Sequence, residues 1–245
     1  DFPQTDDKKW LRDNILASDK VLYAGHAIAG VAAASPHVAE EALALIEVKY
    51  EVLEPVLTTQ EAMADGAPIL HEGLTTQELG EDSGVVSNTA DHFQHVKGDV
   101  TKGFEDADVI IEREYNTAMV HQGYIEPHNG TALWNTDGRL HVWCSTQGSF
   151  VVRDSLAELL DIPVSKIRVT PTEIGGGFGG KIPIYVEPVA AILSKKTGTP
   201  VKIVMSRKDT FEGSGPTPGS NIKIKLGAKS DGTITAAHAW MAMEA

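Results

Sequence analysis

"GGGFGGK", Gly175 to Lys181, sets five glycines around one aromatic side chain and ends on a lysine. Before it, Lys166 to Thr170 reads as a strand; after it, Val186 to Lys196 reads as a helix. So many glycines in one short run lose much backbone entropy on ordering. A fold tolerates that where the backbone must approach something closely or take positive φ. Strand, glycine loop and helix in that order aim bare N–H groups at an anionic ligand. The plainer alternative, a flexible hinge or sharp turn, is weakened by the two ordered flanks.

Two nucleotide loops come close to this pattern. Gly175, four residues and then Gly180-Lys181 fit the start of G-x-x-x-x-G-K-[ST], but the next residue is Ile182, which has no hydroxyl to hold Mg²⁺. Gly175, Gly177 and Gly180 also spell G-x-G-x-x-G. That fingerprint needs an acid about 20 residues further on, and Lys195 to Met205 contains none. The loop is expected to bind an anion by neither mechanism. A nucleotide phosphate-binding domain remains the alternative, with a non-catalytic structural fragment as a third reading.

The chain has 245 residues, enough for one large or two small domains. Its 42% hydrophobic and 22% charged residues suit a soluble globular protein. A formal net charge of −13 argues against nucleic acid or an anionic membrane as partner. Cys144 is the single cysteine, so the chain carries no disulfide framework, cysteine zinc site or cysteine-ligated iron–sulfur cluster. No apolar run reaches the roughly 18 residues of a membrane span. Asp1 to Lys8 is not a signal peptide, and a cytoplasmic setting fits. Gly232 to Ala245 reads as a strand that simply stops, so the chain is expected to be part of a longer one.

Along the chain, Val21 to Ala33 reads as strand material around Gly25. Ser35-Pro36 caps a helix carrying Val38, Ala42 and Leu45. Val48, Tyr50 and Val52 alternate as a strand would. Residues 64–95 show little periodicity and are expected to connect two domains. Further on come a strand at Val109 to Tyr115 and a hairpin, Thr131–Trp134 with Leu140–Cys144, around Asp137-Gly138. Val152, Leu156, Leu159 and Leu160 mark an amphipathic helix. Val201 to Met205 is a strand, and a last hairpin, Ile222–Leu226, turns at Asp231-Gly232.

Four blocks, in order, resemble the molybdenum hydroxylases, the xanthine dehydrogenase and aldehyde oxidase family: Ala17 to Val56, "HQGYIEPHNGTALW" (His121 to Trp134), Val142 to Val169, and "IGGGFGGK" (Ile174 to Lys181). The resemblance covers nearly the whole chain except about 64–95. It implies an α/β (α+β) fold: a hammerhead-like α/β domain over 1–63, a connection over 64–95, and a mixed-sheet molybdopterin-binding domain over 96–245. It also implies oxidative hydroxylation of an aldehyde, N-heterocycle or related aromatic with water-derived oxygen. Electrons would pass to iron–sulfur and FAD subunits or domains of a heteromeric complex.

Residue by residue, the resemblance places Gln147 of Ser-Thr-Gln beside the molybdenum oxo group. It turns the backbone N–H groups of Gly177, Phe178, Gly179 and Gly180 toward the cofactor. Ile182 stands where xanthine-specific members carry a glutamate, which argues against a xanthine substrate. Glu126 and His128 allow a proton relay or a buried structural pair under the loop; the structural pair is the expectation. His92 with His95 and His121 with His128 have metal-like spacing, yet zinc needs three or four ligands, so no residue is assigned to a metal. The family's catalytic base lies in a Gly-Glu context. Glu187, Asp209, Glu212, Asp231 and Glu244 do not, so the base is expected beyond Ala245 and this chain alone is expected to be inactive and to hold little molybdopterin. A loop without its ligand is expected to be less ordered than its flanks.

Overall fold

The computed structural model describes residues 9–244, so the stretch at Asp1 to Lys8 read above lies outside the described residues. In chain order the elements are α1 (Lys9–Ile15), α2 (Pro36–Leu43), α3 (Thr59–Ala62), β1 (Thr75–Glu78), β2 (Glu81–Val86), β3 (Asp91–His92), α4 (Val100–Glu105), β4 (Val109–Thr117), β5 (Asn129–Trp134), β6 (Leu140–Cys144), α5 (Ser149–Leu160), β7 (Ile167–Pro171), α6 (Glu187–Thr197), β8 (Val201–Val204), α7 (Arg207–Gly213), β9 (Ser220–Ala228) and β10 (Ile234–Met243). The fold is α/β with mixed sheets, as the sequence indicates.

By compactness the chain divides otherwise than at 63 and 95. One unit runs to Tyr50 and resumes at His121–Pro216; the other is Glu51–Val120 with Thr217–Ala245. In the second unit β4 pairs antiparallel with β9, and β9 with β10, so a strand before residue 120 is completed by a hairpin after 216. The small sheet β2-β1-β3 accompanies them. These short strands lie in the stretch read as a bare connection; three strands of at most six residues, exposed except at β1, leave little periodic signal.

The first unit is built on the sheet β7-β6-β5-β8. β5 and β6 are the expected hairpin, with Gly138 at φ 79 in its turn. From β6 the chain crosses through α5 and returns as β7, parallel to β6. Parallel neighbours need such a crossover. α5 buries the four residues its spacing singles out, Val152, Leu156, Leu159 and Leu160. They join Ala132, Leu140, Val142, Ile167, Ala190 and Ala191 in one core.

Two strand expectations fail. Residues 21–33 and 48–52 form no strand, although Ser35 does cap α2 and Pro36 opens it. A strand needs a run of neighbouring backbone to take its N–H and C=O groups. Among the described residues no strand pairs with either stretch, and in 21–33 the Ala27 C=O accepts a single bond from the Ala17 N–H at 2.8 Å. Val52 stands 92% exposed.

Candidate functional site

β6 and β7 end side by side. Ser145-Thr146-Gln147 leaves the carboxyl end of β6, and the glycine loop follows the carboxyl end of β7. In open α/β sheets the crevice beyond the carboxyl ends of parallel strands is where ligands bind.

Lys181 joins the two segments. Its C=O accepts from the Gln147 N–H at 2.9 Å and from Thr146 Oγ1 at 3.1 Å. Its N–H donates to Gln147 Oε1 at 3.3 Å, and the Gly179 N–H reaches the same oxygen at 3.0 Å. Its ammonium donates to Glu126 Oε2 at 2.6 Å and Ser145 Oγ at 2.9 Å. The Lys181 side chain is 0% exposed, so this lysine anchors the loop and cannot reach a bound phosphate. Glu126 Oε2 also accepts from Ser145 Oγ (2.7 Å) and the Gly175 N–H (2.7 Å), while Oε1 accepts from Asn129 (3.1 Å). Partial burial raises the Glu126 carboxyl, but the donors from Lys181, Gly175, Ser145 and Asn129 outweigh it and hold it at about 2. The loop is therefore tied at both ends and in the middle.

Three N–H groups of the loop meet no protein acceptor among the described residues: those of Gly176, Gly177 and Phe178. Gly176 and Phe178 take positive φ (95 and 49) and Gly177 between them does not. Such alternation lets successive N–H groups share one side and form a concavity for an anion. Gly177 is buried, and a Cβ there would lie 2.5 Å from Gln147 Oε1, so only glycine lets the Gln147 amide lie against the loop. Two backbone donors on Oε1 fix which end of the amide is oxygen; Nε2 has no protein acceptor among the described residues. Phe178 is 74% exposed, a bulky residue held in the left-handed region at the loop tip. The other two expected N–H donors are already engaged: Gly179 donates to Gln147 and Gly180 to the Gly177 C=O at 2.8 Å.

Glu126 and His128 do not bond to each other. His128 Nε2 lies 2.5 Å from the Tyr124 hydroxyl, which is 3.1 Å from Ser214 Oγ. Burial above all, with the Lys181 charge, lowers His128 to about 4 and leaves it neutral near pH 7. His121 Nδ1 accepts from the Gly123 N–H, so Nε2 carries the proton and donates to Ser214 Oγ at 3.0 Å. This chain of neutral groups lies under the loop, where a Cβ at Gly176 would be 3.1 Å from Tyr124. The expected pair is corrected to two separate contacts, Glu126 tying the loop and His128 bonding Tyr124.

His92 pairs with Glu78 on the surface, and no group of three or more His, Cys, Asp or Glu that could hold a metal occurs among the described residues. Burial pushes the Cys144 thiol and the Glu187 carboxyl up. Ile182 is half-exposed, its N–H donating to the Gly179 C=O at 3.3 Å. Sequence reasoning missed Lys181 as an anchor, Ser145 as its partner, and Gln122, whose buried Oε1 has no partner among the described residues and abuts Gly180. The serine and lysine lie at the ends of the quoted motifs, but only the fold shows that they meet at Glu126.

Residues 82–245 match the model of the molybdopterin cofactor-binding domain. The chain belongs to that family. Residues 1–54 match the a/b hammerhead domain of aldehyde oxidase and xanthine dehydrogenase. Among curated relatives, the probable hypoxanthine oxidase of Escherichia coli O157:H7 is 35% identical over 91% of this chain and 26% of its own length. The nicotinate dehydrogenase large molybdopterin subunit of Eubacterium barkeri is 34% identical over 90% of this chain and 49% of its own. Among solved structures, a Cu,Mo-CO dehydrogenase superposes with a TM-score of 0.80 at 27% identity, covering 98% of this chain and 32% of that one. The chain thus spans between about a quarter and a half of these relatives. Nothing in these matches supports a nucleotide phosphate loop. No helix among the described residues is long and apolar enough to cross a membrane.

Proposed function

We propose that this chain holds molybdopterin through the N–H groups of Gly177 and Phe178, joined by that of Gly176, with the Gln147 amide alongside. The turn through Gly179 and Gly180 gives the loop its shape. The observation that carries the reading is the buried Gly177, whose N–H lacks a protein acceptor although the loop is tied down on both sides of it. The residues fit the group: a concavity of backbone donors suits an anion, the close approach at Gly177 leaves no room for a side chain, and the Gln147 Nε2 is free to donate. When bound, the molybdenum cofactor supplies the redox chemistry for inserting a water-derived oxygen.

In the whole protein the activity is oxidative hydroxylation of an aldehyde, N-heterocycle or related aromatic, with iron–sulfur and FAD partners in a cytoplasmic heteromeric complex. The names of the relatives support the enzyme class. A hammerhead-like domain over 1–63, a connection over 64–95 and a first cofactor-binding domain over 96–245 form part of the same proposal; the family matches over 1–54 and 82–245 support the presence of the two domains, not these boundaries. The test is metal analysis of the full-length protein together with fluorescence of its oxidised pterin. Near-stoichiometric molybdenum and pterin are expected, and both should drop in Gly177→Ala. A wild-type protein with neither would remove the proposal.

A further inference from the structure

One oxygen, Glu126 Oε2, takes a hydrogen bond from the first residue of the loop, the Gly175 N–H at 2.7 Å, and from the last, Lys181 Nζ at 2.6 Å. Both ends of this glycine-rich segment therefore converge on a single atom. That atom belongs to a residue far upstream in the sequence, just before β5. Ser145 Oγ, at the end of β6, donates to the same oxygen and accepts from the lysine, so the tie is referred to the sheet. Between these ends lie the three N–H groups without protein acceptors. A glycine-rich segment left open would have to be ordered when a ligand binds, and that entropy would weaken binding.

We infer that Glu126 is a positioning residue that closes the loop on itself and presets the Gly176, Gly177 and Phe178 N–H groups before the cofactor arrives. The inference rests on the molybdopterin reading above. The competing account is that Glu126 merely neutralises a buried lysine. The two differ in what happens when both charges are removed together, since a buried pair can often be replaced by neutral groups without loss of stability. Neutralisation alone predicts that Glu126→Gln combined with Lys181→Met behaves as wild type. Closure predicts that the fold survives and the loop does not stay set.

The experiment compares the full-length wild type, Glu126→Gln and the double variant. It measures amide hydrogen exchange at Gly175, Gly179 and Gly180, the glycine amides of the loop that are hydrogen-bonded, after cofactor removal, exchange in α5 and β6 as a control, and pterin per protein as purified. In the double variant, α5 and β6 should exchange as in wild type, the loop amides about tenfold faster, and pterin content should fall severalfold. Should Glu126→Gln alone fail to fold, its lone buried ammonium accounts for that and the double variant decides. Unchanged loop exchange in the double variant overturns the inference, as does a faster-exchanging loop with undiminished pterin. A wild-type protein without pterin refutes the cofactor reading instead, and loop exchange then decides closure by itself.

Discussion

Two glycines of one loop are irreplaceable for different reasons, and alanine separates them. At Gly177 an added Cβ meets Gln147 Oε1 at 2.5 Å and Lys181 Cβ at 3.2 Å, so Gly177→Ala must push the amide off the loop. A cost of about 1–3 kcal/mol in urea denaturation is expected, with loss of pterin. At Gly179 an added Cβ has open space, but φ is +91. Gly179→Ala is expected to cost about 1–3 kcal/mol through backbone strain alone while leaving Gln147 in place; equal pterin loss in the two variants would contradict this. The two largest downward shifts make acid act in different windows. His128 falls from an ordinary 6.5 to about 4, so the unfolded chain binds the extra proton and stability drops as pH falls from 6.5 to 4. The full effect is on the order of 3 kcal/mol. Glu126 falls from 4.5 to about 2, and its contribution, present above 4.5, is lost as pH falls toward 2. Urea midpoints taken against pH should therefore slope in both windows, and His128→Gln should make the upper slope shallower without changing the lower one, His121 and His141 being lowered by burial as well.

Elements that bury their own pattern were legible. α5 shows it: Val152, Leu156, Leu159 and Leu160 recur at helical spacing and are the residues it buries. Leu156 is fully buried, so Leu156→Ala is expected to cost about 2–5 kcal/mol by thermal or urea denaturation, as cavity-forming changes do. The hairpins of β5 with β6 and β9 with β10 were equally plain, because Asp137-Gly138 and Asp231-Gly232 announce local turns. Val48 to Val52 has the same alternation and makes no strand, since alternation records a side-chain pattern while a strand also requires a partner's backbone. The site divides in the same way. Gln147 and the glycine run stand out as local words, and their residue types reveal their chemistry. That Gly179 and Gly180 turn their N–H groups inward depends on contacts with Gln147 and on the loop's own curl, which no spacing encodes.

At the scale of the molecule, the chain is interleaved. β4 is finished by β9, whose residues lie beyond all of β5 to α7. Native-state hydrogen exchange is expected to sort the slow amides into two sets, one over β5 to β8 and one over β4, β9 and β10, each opening with its own free energy. A single shared opening energy would speak against two units. The crossover of α5 between β6 and β7 has a different implication. Gln147 and Lys181 are 34 residues apart in the chain and bonded to each other in space, because each leaves the end of one of two neighbouring strands. The distance between the strand ends is fixed by the sheet, whereas the length of the crossing is not. An insertion in the turn at 161–166 could lengthen the gap without moving either hydrogen bond. Distant relatives are therefore better sought by two short words, Ser-Thr-Gln and the glycine run, scored separately with a free gap, than by any pattern of fixed length.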